Sequence, residues 1–159
     1  MNIPILPTLL FSIFMILVFS AQKSPPLCEA SIEIGKKIYT RGTGEGDQKI
    51  IAVVFGSDMP ATMMACINCH LECGEGTMLP GVEVPDIRRA NLKERYIKNG
   101  AAENANKVIN NKLRKAIALG FKNEDEVMHK MMPQYKMSMK DMNHLLAYLA
   151  VLGEEESCS

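Results

Sequence analysis

Cys66-Ile67-Asn68-Cys69-His70 is the stretch on which the reading of this chain turns. Two cysteines separated by two residues, with a histidine directly after, match a c-type haem attachment site. The spacing has a chemical reason. Residues three apart on a helical turn share a face, so the thiols of Cys66 and Cys69 can reach the two vinyl groups of one porphyrin. His70 is then the candidate proximal ligand to the iron. The rival use of the same side chains is a zinc or iron–sulfur centre taking Cys66, Cys69, His70 and Cys73.

Downstream, Leu71 to Thr77 is a glycine-bearing loop, followed by Pro80-Gly81 and Val84-Pro85-Asp86-Ile87. Such a loop can wrap a flat ring without bulky side chains. Pro85 is the candidate partner of His70: a fixed carbonyl there can accept the imidazole's far N–H, orienting the ring and raising its basicity. Pro80 competes for that role, and both prolines also suit plain turns.

The far side of the iron needs a second ligand. Thioether sulfur is soft, favours the reduced metal and raises the potential. Twelve methionines make Met alone uninformative, since most fill cores. Met132 stands out because Pro133 follows it, which predicts a rigid, non-helical loop able to hold a sulfur against iron. Met131, the other methionines and His129 are the alternatives. His129 reads as an exposed loop residue and His144 as a solvent histidine on the final helix.

Upstream of the motif, Ala30–Thr40 predicts a short helix with Gly35 allowing close approach of a neighbour. Lys49–Phe55 is β-branched and closed by Gly56, predicting one strand of a small hairpin. Further along, Leu92–Lys98 predicts a short helix and Asn111–Leu119 a clearer one ended by Gly120. The strongest helix is Ser138–Leu152. Met142, Leu145, Leu146, Leu149 and Leu152 make its apolar stripe, Ser138 and Asp141 resemble a capping box, and Gly153 stands as its end. Its expected partner is the helix around Gly35 and Tyr39.

Ile3 to Phe19 is uncharged and almost wholly apolar, with small Ser20 and Ala21 next. Residues 1–21 therefore read as a secretory signal, or as a retained N-terminal membrane anchor if uncleaved. The folded domain is expected over 28–153 and a tail over 154–159, outside the cytoplasm. Lys plus Arg and Asp plus Glu stand at 18 each, which argues against a nucleic-acid binder. Beyond the motif, Cys28, Cys73 and Cys158 are an odd set, and an oxidising compartment favours one bridge. The pair considered is Cys28–Cys158, joining the two ends of the domain.

With these residues in hand, the sequence resembles the class I cytochromes c, in particular bacterial single-haem members. The matching stretches are Gly35-Lys36-Lys37-Ile38-Tyr39, Ala65 to His70, Val84 to Ile87, and Met132 to Asp141 running into Leu145-Leu146-Ala147-Tyr148-Leu149. The resemblance implies an all-α fold of packed N- and C-terminal helices around one covalent haem c. The hairpin is then an insertion before the motif. It also implies one-electron transfer between redox partner proteins in the periplasm, as a carrier or an electron-transfer subunit and not an enzyme. Cys66 and Cys69 carry over as thioether sites, His70 as proximal ligand and Met132 as distal ligand. Cys73 departs from the family pattern. The competing function is a haem enzyme or gas sensor with an open distal site.

Overall fold

The computed structural model describes residues 26–97, 104–122, 126–154 and 158. The apolar run 3–19, with the signal or anchor expected there, lies outside them. Among the described residues no helix is long and apolar enough to cross a membrane.

Helix α1 (Pro26–Arg41) packs against helix α5 (Met139–Leu149), the terminal pair expected from the sequence. Gly35 is the reason they meet so closely. A Cβ there would stand 2.1 Å from the His144 carbonyl oxygen and 2.7 Å from Tyr148 Cβ. The Tyr39 and Tyr148 rings meet nearby, with centroids 5.4 Å apart. Ile38, Tyr39, Met142, Leu145, Leu146 and Leu149 are all buried, making this contact the centre of the apolar core. His144 is not the solvent histidine expected. It is half-buried, and its Nδ1 lies 2.7 Å from Ser31 Oγ. Residues 144 and 148, four apart, form a second stripe beside the leucine stripe, and α1 covers it.

The cap of α5 differs in detail from a capping box. Ser138 Oγ accepts the Asp141 N–H at 3.0 Å, as expected. The buried Asp141 carboxylate instead takes the Ser138 hydroxyl and the Glu45 N–H, tying the helix start to the 44–47 turn. The helix itself ends at Leu149, short of Leu152.

The expectation of an all-α fold is corrected by two small antiparallel sheets. Strands β1 (Ile51–Val54) and β2 (Ser57–Pro60) form the expected hairpin around Phe55-Gly56, both at positive φ. Between helix α2 (Ile67–His70) and helix α3 (Arg89–Tyr96), β3 (Thr77–Leu79) and β4 (Val82–Val84) form a second hairpin. Strand β5 (Gln134–Lys136), just after Pro133, adds to the free edge of β1 with Ala52 opposite Tyr135. The first sheet therefore has the order β2-β1-β5. The physical cause is that Ala52 and Val54 are buried along β1, whose second edge takes the segment after Pro133 as a partner. Each strand is short enough to pass for loop in sequence.

Helix α4 (Ala105–Leu119) starts six residues before the expected Asn111. Ala105, Ile109, Leu113 and Ile117 form its buried stripe, and Gly120 at φ 71° closes it. The asparagines that blurred its start have a partner. Buried Arg89 of α3 donates to Asn106 and Asn110, one turn apart on α4.

The bridge pairs Cys73 with Cys158, 85 residues apart, and not Cys28 with Cys158. The loop after His70 lies against the end of the terminal helix: a Cβ on Gly74 would meet Leu152, and one on Gly153 would meet the Cys73 carbonyl. Cys73 is thus the cysteine that the C-terminal tail reaches.

Candidate functional site

One turn of helix builds the centre. His70 N–H and Cys69 N–H both donate to the Cys66 carbonyl, at 2.9 and 3.2 Å. This turn puts Cys66, Cys69 and His70 on the wall of one cavity. Both cysteines are free thiols. Burial pushes the Cys66 thiol up to about 12.

The His70 side chain is buried, and its Nδ1 stands 3.1 Å from the Pro85 carbonyl oxygen. A carbonyl only accepts, so Nδ1 carries the proton and Nε2 keeps its lone pair. Burial, opposed by the Pro85 carbonyl, lowers the imidazole's proton affinity, which keeps the ring neutral and fit to bind a metal. Pro80, the rival partner, sits with Gly81 in the turn between β3 and β4. Beside Pro85, partial burial works to raise the Asp86 carboxyl, but hydrogen bonds from Arg88 outweigh it and hold it below the usual range.

Further lining comes from the loop between α4 and β5. An isolated bridge of Phe121 with Val127, and Met128 N–H on the Gly120 carbonyl, hold its base. Met128, His129, Met131, Met132 and Pro133 from this loop line the cavity, with Met64 and Tyr135. Met132 is half-buried and precedes buried Pro133, whereas Met131 is 39% exposed. His129 is exposed, and its Nδ1 accepts the Met131 N–H at 3.3 Å. In a neutral ring that leaves the proton on Nε2, so neither nitrogen offers a free lone pair.

All five residues named from sequence, Cys66, Cys69, His70, Pro85 and Met132, therefore line one cavity. Sequence reasoning missed Tyr135 and Tyr39. Tyr135, buried, donates to the Met64 carbonyl at 2.5 Å across the cavity's edge. Tyr39 donates to the Leu71 carbonyl at 2.6 Å. Burial and the nearby Cys66 push both phenols well above the ordinary range, keeping them donors. Their signal was aromatic residues one or two positions from motif elements, which packing alone also explains.

The donor set fits a covalent porphyrin better than a zinc or iron–sulfur centre. Cys73, the fourth ligand such a centre would take, is bonded to Cys158. Among the described residues, no three His, Cys, Asp or Glu side chains gather as a metal cage. What the cavity offers is two cysteines, an oriented imidazole and several methionines along one lining.

A family model described as Cytochrome c matches residues 32–153 of the chain. Comparison with curated proteins and with solved structures returned no match.

Proposed function

That the chain belongs to the cytochrome c family is the premise from which we propose a one-electron carrier of the periplasm, with His70 and Met132 as axial ligands. Proteins of this family hold haem c covalently and transfer electrons by it. Bound here, that group supplies a reversible one-electron couple at its iron.

The chain's own residues do the rest. Cys66 and Cys69 offer the two anchoring thiols. His70 presents Nε2 in a fixed tautomer, because Pro85 takes the other N–H. Met132, on a loop stiffened by Pro133, offers a soft sulfur that favours the reduced state and blocks small ligands. Met63, Met78 and Val127 are exposed apolar residues, each adjacent in sequence to a cavity-lining one. They give the cavity's rim an apolar surface for contact with redox partner proteins.

The single observation carrying this reading is the meeting of two thiols, a tautomer-fixed histidine and a Met-Pro loop on one cavity. The open-site alternative, an enzyme or gas sensor, would need a distal group such as His129, which is exposed, and an iron position that Met132 leaves unfilled. The test is the purified, matured protein in three measurements. Intact mass should show one added macrocycle and loss of the first residues. The oxidised spectrum should show a sulfur-to-iron band at its red end, and the reduced protein should bind carbon monoxide slowly or not at all. Rapid carbon monoxide binding with no such band would sink the carrier reading in favour of the open site.

A further inference from the structure

We propose that Tyr39 is a positioning residue for His70, acting through the carbonyl of Leu71, where the chain leaves the haem-binding turn. The inference rests on His70 being the proximal ligand.

Leu71 adopts φ 63° and ψ −179°, a conformation that only glycine visits readily. Its side chain is 37% exposed, so burial does not force it there. Such a conformation persists only where the surroundings over-determine it. Three hydrogen bonds do so. The Leu71 N–H donates to the Ile67 carbonyl at 3.0 Å, closing the turn that carries Cys66, Cys69 and His70. The His70 carbonyl accepts the Gly76 N–H at 3.2 Å, closing the loop that follows. The Leu71 carbonyl accepts the Tyr39 hydroxyl at 2.6 Å.

The first two bonds are local and move with the segment they hold. The third reaches across 32 residues to a donor on α1. Tyr39 is fully buried, and its ring meets that of Tyr148 on α5 at a tilt, with centroids 5.4 Å apart. Phenylalanine would fill the same volume, so the hydroxyl adds nothing to the packing. What it adds is direction. It sets which way the peptide after His70 faces, and with it the path by which the chain returns to Pro85, the imidazole's partner. The helix pair at the core thereby acts on the ring without touching it.

The test uses Tyr39→Phe, Leu71→Gly and the double variant, each made as the full chain with haem attached. Three quantities are read: the midpoint potential, the hyperfine-shifted His70 ring resonances of the oxidised protein, and the thermal midpoint. Tyr39→Phe should shift the potential and the resonances. Glycine reaches the Leu71 conformation without strain, so the same change in the Leu71→Gly background should shift them by less than half as much. A Tyr39→Phe variant that only melts earlier, with potential and resonances in place, overturns the proposal, since lost stability alone is a structural effect. Equal shifts in both backgrounds overturn it as well, because they trace the effect to the helix contact. The underlying reading fails separately: a wild-type protein with no His70 ring resonances in the hyperfine-shifted region would remove histidine ligation, whatever the variants do.

Discussion

His70 Nδ1 and the Pro85 carbonyl oxygen stand 3.1 Å apart, joining two residues 15 positions apart in the chain. Gly76 makes this approach possible. It sits at φ +75°, and a Cβ there would fall 2.2 Å from the Val84 oxygen and 2.8 Å from the Pro85 oxygen. Gly76→Ala must push that carbonyl away. The imidazole then loses basicity, so the oxidised iron is less stabilised and the reduction potential rises. Stability should fall by about 1–3 kcal/mol, the usual cost of overpacking. A redox titration beside a denaturant melt checks both; an unchanged potential would mean the carbonyl has another way to stay in place.

Met132→Ala should lower the potential, erase the red-end band of the oxidised spectrum and admit carbon monoxide to the reduced iron. Met131→Ala and Met64→Ala, which line the same cavity, should do none of these. If one of them reproduces the Met132 result and Met132→Ala does not, the sulfur has been assigned to the wrong residue.

Gly35→Ala places a methyl group where the His144 carbonyl oxygen stands, 2.1 Å away and part of the backbone of α5. Neither helix can yield without parting. A loss of about 3 kcal/mol is expected, at the upper end for overpacking, read as a lower thermal midpoint. The haem spectrum of the folded fraction should be unaltered. A melt within a degree of wild type would show that α1 and α5 can slide apart at little cost.

Removing the bridge by Cys73→Ser, or by a strong reductant, should cost about 2–4 kcal/mol in this long loop. The melting temperature of the wild type should fall on reduction and that of the variant should not. If reductant lowers both equally, the effect comes from somewhere other than the Cys73–Cys158 bond.

The parts legible in sequence were those written in fixed spacing or strong periodicity. Cys66, Cys69 and His70 announce their chemistry in five residues, and the leucines of α5 and the gap at Gly35 announce the helix pair. What stayed hidden depends on partners far away in the chain. Gln134-Tyr135-Lys136 becomes a strand only because β1 offers an edge, and no local pattern over three residues can say so. Asn106 and Asn110 look like helix-weakening residues until Arg89 is seen to bond both. His144 was misread because a leucine stripe defines one buried face and says nothing of a second. The cysteine pairing likewise turned on where the tail passes, which spacing does not record.

Cys66, Cys69, Cys73 and Cys158 have two opposite fates. Cys73 and Cys158 end oxidised to each other, while Cys66 and Cys69 remain thiols. Cys69 and Cys73 are separated by only residues 70 to 72, and exchange between neighbouring sulfurs is ordinary chemistry. A newly made chain must therefore have its sulfurs sorted: one couple sealed, the other kept reduced until macrocycle loading. Assembly in the producing cell then calls for both an oxidant and a reductant: without the oxidant Cys73 and Cys158 stay unbridged, and without the reductant chains cross-linked at the wrong place accumulate.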